Sequence, residues 1–484
     1  MKNQAQLIAY VDRLTGGTFR DLERLLAGPL RGAFGGVHVL PFFHPIDGAD
    51  AGFDPIDHTV VDPRLGTWDD VRGLARQTEV MADVIVNHVS SRSPQFEDYL
   101  QCGASSRSAG MFLTYSHVFP HGAREADLLA LHRLRPDLPF TTYRTAQEEV
   151  VLWTTFTREQ IDIDVHHAEG RRYLDAVLTH VHQAGIRAIR LDAVGFAVKK
   201  AGTSCFMIPE TLAFISAFTA RAHALDIEVL VETHAHYLEQ IRIARQVDWV
   251  YDFALPPLVL HTLYTRDATQ LTRWLDVRPR NAITVLDTHD GIGIHDAVDL
   301  LLPEELDALA DTIHERSRHE SREATGGAAH NVDVHQINCT FYDALGCRDE
   351  EYLIARALQC FVPGIPQVYY VGLLAGRNDM ALLRRTGVGR DINRRYYAAG
   401  EVEQQLRRPV VQTLVSLLTL RNTHPAFGGA FAVTSTTPDC LAMEWRNGGA
   451  WARLDVRLMG MSASVTCSRD DNDPRGDVAW SSGR

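Results

Sequence analysis

Eight short apolar runs recur along the chain, several of them closing on polar or charged residues. They are QLIAY around Leu7, GVHVLP around Val39, VMADVIVNH ending at His88, IRAIRLD ending at Asp192, IEVLVE ending at Glu232, DWVYDF ending at Phe253, AITVLDTHD ending at Asp290 and PQVYYVG ending at Gly372. Near-continuous apolar runs, without strict alternation, are what parallel strands covered on both faces require. Between the runs the period lengthens. After Pro209, residues Leu212, Ile215, Phe218, Ala222 and Leu225 fall three or four apart, which gives a helix one apolar face. Strand and helix alternating in this way predict an α/β fold, a (β/α)8 TIM barrel.

Two intervals are too long for simple connections. Residues 87–166, rich in Gly, Ser, His and Pro, predict an irregular domain B inserted after the third strand. Residues 291–346, which contain ERSRHESREATGGAAHN, predict a second insertion, domain B′, that shapes the mouth of the site. The barrel itself is then spread over 1–86, 167–290 and 347–426. From 427 to 484 the pattern changes to short alternating segments, FAVTST, CLAMEW and ARLDVRL, which predict a small antiparallel β domain. Its closing stretch, SRDDNDPRGDVAWSSGR, is polar enough to fray.

A chain of 484 residues suits such a barrel with added modules. Its 48 basic and 61 acidic residues give a net charge of -13, which argues against nucleic acid as a partner and makes any phosphate site local. No run approaches the roughly eighteen apolar residues of a membrane helix. The start, MKNQAQLIAYVDRL, lacks the features of a secretory signal, so a cytoplasmic location is expected. The 7 cysteines include no CxxC pair and read as free buried thiols.

Three runs deliver a carboxylate at their C-terminal end: Asp192 in RLDAVG, Glu232 in VETHAH and Asp290 in LDTHDG. In a parallel barrel all three point into the face where active sites lie. Breaking a glycosidic bond with retention needs one carboxylate to attack the anomeric carbon and one protonated acid to help the leaving group depart. A third can stabilise positive charge developing on the ring. Crowding carboxylates raises at least one proton affinity, which would keep Glu232 protonated near neutral pH. Any single strand-end Asp is as readily a helix cap or an ion-pair partner; the three together, in order, point to catalysis.

The blocks GFDPIDH, VIVNH, IRLDAVG, VETH and LDTHDG resemble those of the α-amylase clan, glycoside hydrolase family 13. The stretches PFFHPIDGADAGFDPIDHTVVDPRLGTWDD, RPDLPFT, IRLDAVGFAVKKAGTSCF, VYDFALPPLVLH and GRDINRRYY resemble the sucrose phosphorylase subfamily over nearly the whole chain. The resemblance implies Asp192 as nucleophile, Glu232 as acid/base and Asp290 as transition-state stabiliser, with no cofactor, no metal and a homodimer. It also implies that His88 and His289 hydrogen-bond the glucose ring and that Asp50 and Arg390 bind its distal hydroxyls. Phe53 supplies an apolar platform, with a core aromatic as the alternative. Arg190 holds Asp192 ionised or forms a structural ion pair. His234 joins the substrate-binding set, Phe156 and Gln160 line the entrance, and Asp333 and Gln336 contact the leaving sugar.

Phosphorolysis requires positive charge where phosphate enters. The resemblance places Arg135 and the loop NVDVHQ, from Asn331 to Gln336, at that acceptor site. The chain departs from the subfamily pattern at Phe196 and His335, where Tyr is usual, at Leu134, where a proline-containing position is usual, and at Lys200, where an acidic residue is usual. Losing a hydroxyl and adding positive charge favours a phosphorylated leaving group. The expected reaction is therefore phosphorolysis of sucrose 6'-phosphate to α-glucose 1-phosphate and fructose 6-phosphate, with sucrose, a glucosylglycerol-type donor or simple hydrolysis as alternatives. The implied partners are small molecules, with no nucleic acid and no membrane.

Overall fold

Every one of the eight apolar runs forms a strand in the computed structural model, which describes residues 1–48, 50–133, 137–326, 336–469 and 475–482. The strands are β1 (Gln6–Ala9), β2 (Gly36–Val39), β3 (Glu79–Ile85), β4 (Ala188–Asp192), β5 (Glu228–Val231), β6 (Trp249–Asp252), β7 (Ala282–Thr284) and β8 (Ile365–Tyr369). They close a barrel in the order β1-β8-β7-β6-β5-β4-β3-β2. Pairing is parallel between β1 and β8, β3 and β4, β4 and β5, β6 and β7, and β7 and β8. The predicted TIM barrel is the observed one. The strands are shorter than the runs: Asp192 ends β4, Glu232 follows β5 directly, and Asp290 lies on the loop well beyond β7.

The chain divides into two compact units, one of Met1, Val39–Thr233 and Arg245–Trp249, the other of Lys2–His38, His234–Ala244 and Val250–Arg484. In the first unit the interval between β3 and β4 is more regular than its composition implied. Helix Pro94–Cys102 starts with Pro at its first position and Ser93 as N-cap, whose side chain accepts from Phe96 N. A hairpin pairs Phe140–Arg144 with Glu149–Trp153, and His88–Ser90 runs antiparallel to Gln160–Asp162. Val89, Phe96, Phe112, Leu152, Ile161 and Ile163 give this segment its own apolar core.

In the second unit, helix Asp349–Phe361 braces the barrel strands from behind. Its buried Gln359 donates to the carbonyls of Thr284 in β7 and Gln367 in β8, at 2.9 and 2.8 Å. The interval after β7 contains helices Pro303–Arg316 and Glu320–Thr325, so the second predicted insertion is in good part helical. The longer helix is polar, since only its Leu309 and Ile313 are buried, while Pro303, Glu304, Glu305 and Arg316 occupy the terminal positions that suit a helix.

The C-terminal sheet is antiparallel and five-stranded: β9 (Ala430–Thr437), β10 (Cys440–Asn447), β11 (Ala450–Arg457), β12 (Ser462–Cys467) and β13 (Asp477–Ser481). β11 alternates buried and half-buried positions, the signature of one covered face. The tail expected to fray contributes β13, because backbone pairing along β12 does not depend on the polarity of the side chains. Among the described residues no helix is long and apolar enough to cross a membrane.

Candidate active site

Strand register builds the first part of the site. β4 pairs Arg190 with Asp83 of β3, and alternation puts Arg190 and Asp192 on one face. Arg190, only 2% exposed, donates Nη1 to Asp192 Oδ1 at 3.0 Å. The same guanidinium makes closer contacts with Asp83 through Nη1 and with Glu232 through Nη2. One cation is thus shared by three carboxylates. Burial pushes the Asp192 carboxyl well above the usual carboxylate range; Arg190 opposes this, while Glu232, Asp83 and Asp50 add to it. Arg190 alone therefore does not hold Asp192 ionised, because its charge is divided. Ala193, immediately after Asp192, takes a left-handed conformation (φ 55, ψ 17) that turns the chain sharply off the strand.

Around this cluster the first unit places most of the residues predicted to hold sugar. The Phe53 ring lies under Arg190, 5.5 Å from the guanidinium carbon, and its carbonyl is 2.9 Å from His88 Nε2. The side-chain amide of Gln160 reaches the same nitrogen at 3.0 Å. Burial lowers the proton affinity of His88, leaving it a neutral hydrogen-bonding ring. Phe156 stands 5.2 Å from His88 and 5.4 Å from Phe196, so these rings form a continuous wall. Asp50 acts electrostatically on both Asp192 and His88.

In the second unit Asp290 has a different environment. Arg390 reaches it at 2.9 Å, Arg394 at 3.8 Å and His289 Nε2 at 3.7 Å. Burial is the largest influence on Asp290 and acts upward. Arg390, His289, Arg394 and His234 together outweigh it and hold the carboxyl far below the usual range. The loop is fixed along its length: Arg356 binds Asp287 at 2.6 Å, Asn393 donates to the Thr288 carbonyl at 2.9 Å, and Arg394 donates to the His289 carbonyl at 2.9 Å. His234 stacks on Phe253 with ring centroids 4.0 Å apart, binds Asp296 through Nδ1 at 3.1 Å and meets Gln336 at 3.2 Å. Gly293 permits that pair, since an added Cβ would sit 2.2 Å from Asp296 Oδ2.

Leu134, Arg135, Asp333 and His335 lie outside the described residues. Lys200, read as added charge for the leaving group, is an exposed ion-pair partner of Glu210. Sequence reasoning missed Asp83, Arg394 and Asp296. A lone Asp inside an apolar strand was the available signal for Asp83, and the second arginine of GRDINRRYY was the signal for Arg394. Asp296 had none, since nothing in IGIHDA marks it.

Barrel and buried carboxylates define an enzyme of the α-amylase type, and residues 33–248 match the alpha-amylase catalytic domain. The chain is 56% identical to a sucrose phosphorylase of Agrobacterium vitis, over 97% of this chain and 98% of that protein. It is 49% identical to a sucrose phosphorylase of Bifidobacterium adolescentis, over 94% of this chain and 92% of that one. The crystal structure of a sucrose 6F-phosphate phosphorylase from Thermoanaerobacter thermosaccharolyticum superposes with a TM-score of 0.91 at 35% identity, covering 99% of this chain and 97% of the other. The chain belongs to the sucrose phosphorylase family, and with it to the glycoside phosphorylases, a group of glycosyltransferases.

Proposed function

We propose that the protein transfers a glucosyl unit from a sucrose-type donor to inorganic phosphate by double displacement, with sucrose as the donor it serves best. Asp192 attacks the anomeric carbon while Glu232 protonates the departing glycosidic oxygen, giving a glucosyl ester on Asp192 and a free leaving sugar. Phosphate then attacks that carbon as Glu232 takes its proton, releasing α-glucose 1-phosphate and regenerating both carboxyls. Asp290, kept ionised, stabilises the positive charge on the ring. The observation that carries this reading is the guanidinium of Arg190, which binds Asp192 through one nitrogen and Glu232 through the other. Carboxylates so tied are close neighbours, as retaining enzymes require at a separation of about 5 Å. The two carboxyls supply the chemistry without a cofactor.

Phe53, His88, Phe156, Gln160 and Phe196 line the sugar in this reading, with Asp50, His289 and Arg390 at the glucose hydroxyls. His234, Gln336, Asp333, His335 and Arg135 serve the leaving sugar and phosphate, and the intervals 87–166 and 291–346 supply the surrounding insertions. Full-length identity to two sucrose phosphorylases supports sucrose as donor, and the engagement of Lys200 by Glu210 removes one argument for a phosphorylated sugar. Sucrose 6'-phosphate is the second reading, favoured by Phe196 and His335 in place of the usual tyrosines. Free thiols at all seven cysteine positions suit a reducing cytoplasm, and family likeness supports a homodimer.

The test measures glucose 1-phosphate from sucrose, sucrose 6'-phosphate and glucosylglycerol with and without inorganic phosphate. Highest kcat/KM on sucrose is expected; a preference for the phosphorylated sugar selects the second reading, and glucose release independent of phosphate overturns the phosphorylase reading.

A further inference from the structure

The loop after β4 carries a lysine that this chemistry does not use. Lys199 lies three residues past Phe196, and its side chain is 1% exposed. Its ammonium reaches Asp162 Oδ2 at 2.6 Å and Asn87 Oδ1 at 2.8 Å, and it also donates to the backbone carbonyl of Phe196. An ammonium has three N–H donors, so each has an oxygen. The face of Trp153, 5.7 Å away, covers the group. Asp162 in turn accepts from Thr155 through both its backbone and its hydroxyl, which fixes the carboxylate from the other side.

The three oxygens come from three segments. Asn87 follows β3 and directly precedes His88, Asp162 closes the short strand that begins at Gln160, and Phe196 belongs to the turn after the nucleophile. A compact point charge on a flexible stem can satisfy three converging oxygens, whereas a planar guanidinium cannot replace it at the same distances. We propose that Lys199 is the positioning residue of the glucosyl-binding wall, binding these segments together so that His88, Gln160 and Phe196 keep one mutual geometry. The inference rests on the reading that those three side chains line the donor sugar.

Lys199→Met keeps the length of the side chain and removes the charge. The expected result is a fall of about tenfold or more in donor kcat/KM, since small misplacement of binding groups is costly. The loss appears as a raised donor KM, while the KM for phosphate stays within about twofold, because the glucosyl unit is held covalently when phosphate enters. A purely structural role would lower thermal stability and the active fraction, leaving both KM values unchanged.

A lone buried carboxylate is strongly destabilising. Where Lys199→Met does not fold for that reason, the neutral pair Lys199→Met with Asp162→Asn carries the same test and the same expectation. An unchanged donor KM in the folded variant overturns the proposal. The wild type is assayed first: failure to cleave any donor in a phosphate-dependent way breaks the functional reading, whereas an active wild type with an unchanged variant KM breaks only the role of Lys199.

Discussion

Asp192 and Asp290 are both aspartates with little exposure, 9% and 7%, yet their surroundings drive their proton affinities in opposite directions. In the first unit a single guanidinium is divided among Asp192, Asp83 and Glu232, so burial prevails and the proton affinity of Asp192 is raised. In the second, two arginines and a histidine surround one carboxylate, so charge prevails and Asp290 stays ionised. The count of cations per carboxylate, more than the depth of burial, separates a carboxyl whose proton affinity is raised from one held as a permanent negative charge.

Asp192→Asn cannot form the glucosyl ester, and glucose 1-phosphate release should fall by about four orders of magnitude or more. Substantial residual turnover would remove Asp192 as nucleophile.

Next comes Arg390→Met, which strips Asp290 of its nearest cation. A loss of about a hundredfold in kcat/KM is expected, comparable to deleting one charge-stabilising group. It also changes the acid response. A carboxyl depressed by folding contributes stability above its unfolded pKa, and that stability is lost as pH falls through the folded value. Removing Arg390 raises the folded value, so the acid-side fall in thermal unfolding temperature should be smaller than in the wild type and should level off at a higher pH. An unchanged acid profile would mean that Arg394 and His289 suffice.

The smallest effect, and the sharpest, is that of Asp83→Asn. It removes one of the charges that raise Asp192 and returns a larger share of Arg190 to the nucleophile. Asp192 must be ionised to attack, so the acid limb of kcat/KM should lie above the ordinary carboxylate value of about 4 in the wild type. In the variant it should move to lower pH. The stability linkage has the opposite sign to that of Asp290: a raised carboxyl contributes below its unfolded pKa and loses that contribution as pH rises through the folded value. Asp83→Asn should weaken that dependence; an acid limb that stays in place would assign it to another group.

Legibility differed between elements for physical reasons. The barrel strands were readable because a parallel strand covered on both faces needs a short unbroken apolar run, a local property of the chain. The polar helix Pro303–Arg316 was harder to recognise, since it buries little and its stability comes from its ends and its tertiary setting. The interval between β3 and β4 hid its hairpin and core among Gly, Ser and Pro residues because its apolar positions meet only after the chain has folded back.

By itself the sequence determined the barrel, the antiparallel C-terminal sheet and the succession of Asp192, Glu232 and Asp290, all of which are carried by neighbours within a few residues. Only the tertiary structure decided what surrounds each carboxylate. Arg190 meets Asp83 across 107 positions of chain, and Lys199 meets Asn87 across 112. Electrostatic energy sums over whatever charges folding brings within a few ångströms, and no local pattern of residues encodes that sum.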